Sequence, residues 1–147
     1  MNYLIDTNIL LTYLRDKETR SKIEKLYDPF GQENNPLISV VSIGEVKSIA
    51  KRNYWGAKKL ALLENILNSL IIIDINSEDV IETYAEIDAY SQGKLKENPL
   101  PMTARNMGKN DLWIAASCYV TKATFLTTDK DFEHLDKIYF PVITIKV

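Results

Sequence analysis

Four acidic residues stand where apolar segments of this sequence end or where a helical segment begins. Asp6 follows YLI, and Asp129 follows TFLTT. Glu45 comes just after LISVV, in the first turn of the helix predicted there. Asp111 lies in the first turn of a segment with helical periodicity. Carboxylates that are brought together raise one another's pKa values unless a cation neutralises them. An all-oxygen set without His or Cys suits Mg²⁺ or Mn²⁺ better than zinc.

Such a site can hydrolyse a phosphodiester without a histidine base. One or two bound ions lower the pKa of a water molecule and stabilise the attacking and leaving oxygens. The single histidine of the chain, His134, lies outside the segments that carry the acids. The acids therefore predict metal-dependent phosphodiester chemistry.

Each acid also has a purely structural interpretation. Asp6 and Asp111 could stabilise the first turn of a helix, and Asn110 before the second of them is a good N-cap. Glu45 could close a capping box with Ser42. The fourth acid could be a turn residue in TTDKD. The four signals are weak individually, but their joint placement is much less expected by chance.

The elements that must position these acids are predicted by short apolar runs rich in β-branched residues. Five such runs indicate strands: YLI before Asp6, then Leu37 to Val41, Leu70 to Asp74, Thr124 to Thr128 and Val142 to Ile145. The first four are almost continuously apolar, which is typical of strands covered by helices on both faces.

Apolar residues at helical spacing fall between the predicted strands. They include Ile9, Leu10, Tyr13, Leu14, Ile23, Leu26, Tyr27, Val46, Ile49, Ala50, Leu60, Leu63, Leu67, Val80, Ile81, Tyr84, Ile87, Ile114, Ala115, Cys118 and Tyr119. This alternation predicts an α/β fold of three layers, helices on both sides of a mostly parallel sheet of about five strands. Ligands of such sheets bind beyond the carboxyl ends of the strands, where the acids lie.

Composition and length predict one soluble domain that spans residues 1–147. The chain is 46% hydrophobic and 26% charged, as is ordinary for a globular protein. No apolar run approaches the roughly 20 residues of a membrane span. Cys118 has no disulfide partner and lies on an apolar helix face, so we interpret it as a core residue. A lone cysteine and a charge within the first six residues favour a cytoplasmic protein without a secretory signal.

Four segments of the chain resemble the acidic motifs of the PIN-domain nucleases. These are YLIDTNILL, SIGEV, NDLWIAA and LTTDKDF, in the order and spacing of that family. The resemblance covers the whole chain, whose size is similar to the toxins of VapBC-type toxin–antitoxin pairs. It implies Mg²⁺- or Mn²⁺-dependent cleavage of RNA, with Asp6, Glu45, Asp111 and Asp129 as catalytic, metal-binding acids. It also implies Thr7, Asn8, Thr127 and Asp131 as supporting polar residues, a homodimer, and an antitoxin partner.

Positive charge is concentrated in places that could bind RNA. The net charge is −2, yet the segment from Lys47 to Lys59 holds five basic residues and no acid. We consider Lys47, Lys51, Arg52, Arg105 and Lys109 as candidate phosphate contacts. Tyr54 and Trp55 in the same segment could stack on bases. The alternatives are a solvated helix face for this segment and a plain loop for Gly93 to Gly108.

Two other functions fit parts of the pattern. A phosphatase could use Asp6 as an aspartyl nucleophile, but such enzymes usually carry a second Asp two residues later, where this chain has Asn8. A PIN-like module without catalysis could bind RNA or protein after losing its acids. The presence of all four acids argues against this alternative.

Overall fold

A five-stranded sheet, in which every strand is parallel to its neighbours, forms the centre of the protein. The computed structural model describes residues 1–147. The strands are β1 Asn2–Ile5, β2 Asn35–Ser39, β3 Ile71–Ile73, β4 Thr124–Thr127 and β5 Val142–Thr144, in the order β3-β2-β1-β4-β5. Central β1 pairs through Leu4 with Leu37 of β2 and with Phe125 of β4. The predicted parallel α/β fold is confirmed.

Six α-helices connect the strands. They are α1 Thr7–Arg15, α2 Lys17–Leu26, α3 Val40–Arg52, α4 Ala57–Asn68, α5 Glu78–Ser91 and α6 Lys109–Val120. A 3₁₀ helix, Lys130–Leu135, follows β4. It was not predicted, because six residues are too few to show a hydrophobic period. No helix is both long enough and apolar enough to span a membrane.

The apolar core is divided between the two faces of the sheet. Tyr3 and Ile5 of β1 pack against α1 to α4, whereas Leu4 between them packs against α5 and α6. Successive side chains of a strand point to opposite faces, so a central strand must be apolar at every position. This explains the continuous apolar run at the start of the sequence. Cys118 is fully buried in the second core, as predicted.

The prediction that the run from Leu70 to Asp74 is covered on both faces is wrong. Ile71 and Ile72 of β3 are 49% and 53% exposed. Strand β3 lies at the edge of the sheet and pairs only with β2, so its neighbours shield it less. Several residues with helical spacing are exposed as well, including Leu26, Leu60, Ile81 and Tyr119. An apolar residue type alone does not distinguish an edge from a centre.

The boundary between β2 and α3 differs from the prediction. The predicted strand extends to Val41, but α3 already begins at Val40, and Ser39 is its N-cap. The Ser39 hydroxyl accepts a hydrogen bond from the backbone N–H of Val41 at 3.1 Å. Glu45 therefore lies in the second turn of α3 rather than in the predicted first turn, and the alternative interpretation of Glu45 as part of a capping box with Ser42 is wrong. The hydroxyl of Ser42 is buried without a hydrogen-bond partner.

This boundary leads to a stability prediction for two neighbouring serines. Ser39→Ala should lower the free energy of unfolding by about 1 kcal/mol, because the helix loses its N-cap. Ser42→Ala should leave stability unchanged or raise it, since it removes a buried hydroxyl that bonds to nothing. Urea unfolding of both variants measures the difference. A larger loss for Ser42→Ala would restore the capping-box interpretation.

The segment between α5 and α6 forms the predicted loop. From Gly93 to Gly108 it contains neither helix nor strand. The backbone N–H of Arg105 donates to the carbonyl of Ser91 at 2.7 Å, which ties the loop to the end of α5. The loop delivers the chain to the start of α6, where Asp111 lies in the first turn.

Candidate active site

All four predicted acids line one cleft beyond the carboxyl ends of β1 and β4. The cleft has a volume of about 730 Å³. It is lined by Asp6, Thr7, Asn8, Val41, Gly44, Glu45, Ser48, Ile49, Arg52, Asn110, Asp111 and Asp129. Parallel β1 and β4 are adjacent, and the helices that follow the strands begin at this edge. The topology therefore brings together residues that are more than 120 positions apart.

Asp6 is both a helix cap and a wall of the cleft. Its carboxylate accepts hydrogen bonds from the backbone N–H of Thr7 at 2.8 Å and from the hydroxyl of Thr127 at 2.7 Å. Burial raises the pKa of Asp6 to about 6, and the nearby charges of Glu45 and Asp129 add to the increase against the two hydrogen bonds. Asp6 is therefore the N-cap of α1 and a residue of the acidic cleft at the same time.

Asp111, a second acid of the cleft, also has a raised pKa. It lies in the first turn of α6, whose N-cap is Gly108 rather than Asn110. Burial is the largest cause that raises the pKa of Asp111 to about 6. The charges of Asp6, Asp129, Glu45 and Asp131 raise it further. The cleft is therefore a place where additional negative charge is costly.

The tightest group of carboxylates is not the predicted set of four. Carboxylate oxygens of Asp111, Asp129 and Asp131 all lie within 4.8 Å of one another. Asp129 also caps the 3₁₀ helix, because its side chain accepts from the backbone N–H of Asp131 at 2.9 Å. Asp131, predicted only as a supporting residue, thus belongs to the closest acidic group, and Asp6 and Glu45 lie outside it.

Polar side chains hold the remaining acid, Glu45, across the cleft. One carboxylate oxygen accepts from the Thr7 hydroxyl at 2.7 Å, and the other accepts from the Asn110 amide at 3.3 Å. The interpretation of Asn110 as a helix cap missed this contact. The sequence alone does not distinguish an asparagine that caps a helix from one whose amide donates to a distant side chain. Asn8 is exposed and lines the cleft, and Thr127 positions both Asp6 and Asp129.

No carboxylate of the cleft forms an ion pair. The only salt bridges of the chain join Arg20 to Glu24 and Lys47 to Glu64. The pKa values of Asp6 and Asp111 are raised and no cationic side chain pairs with either, so a divalent cation bound in the cleft would offset the repulsion. Asp111, Asp129 and Asp131 could hold such an ion directly, and the donor set is of the kind that Mg²⁺ and Mn²⁺ prefer.

The five candidate basic residues are distributed unevenly around the cleft. Arg52 alone lines it. Lys47 and Lys51 face a neighbouring groove between α3 and α4, where Lys47 lies 3.8 Å from Glu64. Lys109 is exposed at the first position of α6, next to the cleft residue Asn110. Arg105 is exposed in the loop after α5.

The fold and the acidic cleft define a protein of the PIN class of nucleases. The PIN domain model matches residues 3–138, so this chain belongs to the PIN-domain family, whose members are nucleases. The match covers nearly the whole chain and includes all four predicted acids. No curated protein matches it significantly.

Several solved structures share the fold along its full length. VapBC2 from Rickettsia felis, bound to a promoter DNA fragment, superposes with a TM-score of 0.73 at 21% identity, covering 98% of each chain. A toxin–antitoxin complex from Klebsiella pneumoniae gives 0.71 at 20% identity and covers 99% of each chain. FitAcB from Neisseria gonorrhoeae gives 0.68 at 21% identity, covering 97% of this chain and 96% of that one. At these identities the likeness establishes the fold.

Proposed function

We propose that this protein is a divalent-metal-dependent endoribonuclease that hydrolyses RNA phosphodiester bonds in the acidic cleft. The observation that carries the proposal is the unpaired carboxylate cluster at the sheet edge, in a chain that belongs to a nuclease family. Asp6, Glu45, Asp111 and Asp129 are its catalytic acids, and Asp131 joins them. Mg²⁺ or Mn²⁺ is the proposed cofactor.

Some residues of the cleft are proposed metal ligands, and others orient the carboxylates. Asp111, Asp129 and Asp131 provide the closest set of oxygen ligands. Thr127 orients Asp6, and Thr7 and Asn110 orient Glu45. When bound, a divalent cation supplies an activated water and charge stabilisation on the phosphate. Arg52 supplies the positive charge of the cleft that can contact a substrate phosphate.

The two alternative functions explain less of the site. A phosphatase with Asp6 as nucleophile needs an exposed carboxylate, yet Asp6 is only 5% exposed and engaged by two hydrogen bonds. A binding module without catalysis has no use for unpaired acids whose mutual repulsion opposes folding. The nuclease proposal accounts for both features.

We also propose that the protein is the cytoplasmic toxin of a toxin–antitoxin pair and that it forms a homodimer. The solved structures that share its fold include toxin–antitoxin complexes. Leu26, Leu62 and Ile72 are 61%, 46% and 53% exposed, which leaves apolar surface for a second chain. Light scattering that finds a monomer at high concentration would contradict the dimer.

The proposed activity has a direct test. We expect purified protein to cleave RNA in the presence of Mg²⁺ or Mn²⁺ and to lose that activity when a chelator removes the ion. Structured and unstructured RNAs should be compared, with product lengths read on a denaturing gel. Undiminished cleavage in excess chelator would disprove the metal-dependent mechanism.

A further inference from the structure

Tyr54 occupies a backbone position that ordinarily belongs to glycine. Helix α3 ends at the C-cap Asn53, and Tyr54 follows with a φ of +53°. The N–H of Tyr54 donates to the carbonyl of Lys51 at 3.3 Å, and the N–H of Trp55 donates to that of Ala50 at 3.0 Å. These two bonds form a Schellman motif, in which glycine or asparagine avoids the steric strain of a positive φ.

The fold gives no reason to keep a tyrosine at this position. The residue is 91% exposed, the highest value among the large apolar and aromatic side chains of the protein. Its ring takes part in none of the aromatic pairs, which all lie elsewhere. Asp28, Lys122 and Lys137 also have a positive φ, but Tyr54 is the only aromatic residue among the four. Residues held in such conformations cluster at functional sites.

The groove beside Tyr54 carries basic and aromatic side chains and one acid, Glu64, which pairs with Lys47. Lys51 and Trp55 line the same groove of about 320 Å³ between α3 and α4. The ammonium of Lys59 lies 4.2 Å from the centre of the Trp55 ring, and the guanidinium of Arg15 lies 6.0 Å from it. An aromatic side chain beside several cations is the combination that binds a single-stranded nucleic acid, by stacking and by phosphate contact.

Helix α3 connects this surface to the acidic cleft. Glu45, Ser48 and Arg52 recur at helical spacing along one side of α3, and all three line the cleft. Tyr54 comes two residues after Arg52. At 1.5 Å per residue, Glu45 and Arg52 are separated by roughly 10 Å along the axis of α3. The end of α3 therefore carries a cleft residue, Arg52, and is followed by the exposed Tyr54, which lines the neighbouring groove between α3 and α4.

We infer that Tyr54 is a stacking platform for one unpaired base of single-stranded RNA, whose phosphates pass Arg52 and Lys51 on the way to the cleft. This inference rests on the proposed ribonuclease function and adds a preference to it. The bases of a duplex are already stacked on one another, so a platform of this kind favours unpaired RNA.

RNA binding can be measured apart from cleavage, in protein that carries Asp129→Asn. Fluorescence anisotropy with a short single-stranded RNA and the corresponding duplex gives both affinities in Mg²⁺. We expect Tyr54→Ala to weaken single-strand binding by about tenfold, since stacking on one base contributes about that factor. Tyr54→Phe should bind as the parent does, and duplex affinity should change less. Tyr119→Ala is the matched control, a 47% exposed tyrosine on α6.

A second variant separates binding from folding. Tyr54→Gly should raise the melting temperature, because it relieves the positive φ, and yet weaken single-strand binding as much as Tyr54→Ala does. Unchanged single-strand affinity in both variants would overturn the platform, even if the parent protein cleaves RNA. If the Tyr54 variants lose self-association and keep their RNA affinity, Tyr54 contacts a second copy of the chain and the platform is refuted. Weaker binding by the variants of a protein that never cleaves RNA would support the platform and refute the proposed activity.

Discussion

Asp129→Asn should reduce RNA cleavage by about a hundredfold or more, because it removes a negative charge from the tightest group of carboxylates. The fold should persist, since an asparagine oxygen can still accept the hydrogen bond that Asp131 donates to residue 129. The increase in melting temperature that Mn²⁺ produces should shrink in parallel. Initial cleavage rates and thermal unfolding, each with and without metal, provide the measurements.

Two further substitutions show whether the loss is specific. Asp74 directly follows β3 and accepts from the N–H of Ile75 at 2.7 Å, but it is exposed and outside the cleft. Asp74→Asn should therefore cleave normally. Glu45→Gln should stay within about 0.5 kcal/mol of the parent in stability and yet weaken metal binding and cleavage, since glutamine supplies no negative charge. Normal cleavage by Asp129→Asn would show that this group does not hold the ion.

Asp6→Asn should make the metal-free protein more stable at pH 7 by about 1–2 kcal/mol and abolish its activity. The pKa of Asp6 is about 6 in the folded protein, mainly because the group is buried. An unfolded Asp titrates near 3.9, so ionising Asp6 in the fold costs up to about 3 kcal/mol. The neutral amide of Asn avoids this cost of ionisation, but part of the gain is lost because the amide forms a weaker hydrogen bond with Thr127. Urea unfolding in the presence of chelator gives the difference.

The same shift predicts how the stability of the metal-free protein depends on pH. Between about pH 4 and pH 6 the folded state retains the proton of Asp6 that the unfolded state has released, so stability falls as the pH rises. The loss is nearly complete by about pH 7. Asp111, whose pKa is also about 6, acts in the same direction. The parent should therefore be more stable near pH 5 than near pH 7, and Asp6→Asn should flatten this dependence.

Asp74 is again the control. Like Asp6, it directly follows a strand and accepts a hydrogen bond from the N–H of the next residue, but it is exposed to water. Asp74→Asn should leave the difference between pH 5 and pH 7 unchanged. Metal should reverse the trend, since it binds the ionised carboxylates and stabilises the protein more at the higher pH. If stability in chelator rises from pH 5 to pH 7, burial does not raise the pKa of Asp6 and the repulsion account fails.

Most of the architecture could be predicted from local pattern. The continuously apolar run before Asp6 indicated a central strand, and Tyr3, Leu4 and Ile5 do divide between two cores. Alternation of strands and helices predicted the parallel sheet, and a parallel sheet places the ends of its strands at one edge. The candidate acids could be selected for that reason alone. The position of an acid directly after an apolar run is a local feature, so residue type and spacing are enough to identify it.

Other properties depended on contacts between distant residues. Ser39 rather than Ser42 caps α3, because helix and strand compete for the apolar residues Val40 and Val41 and the packed structure decides between them. Ile72 is exposed because β3 is an edge strand, a consequence of strand order. The acid assigned a supporting role, Asp131, enters the closest carboxylate group through the turn of the 3₁₀ helix.

The sequence by itself determined the class of fold, the four candidate acids and the hard-cation chemistry that they suit, since these follow from residue type and period. Only the tertiary structure decided how the acids are held: Thr127 on Asp6, Thr7 and Asn110 on Glu45. It also decided that burial, more than the neighbouring charges, raises the pKa of Asp6. Desolvation depends on everything packed around a group, and no local pattern in the chain encodes that sum.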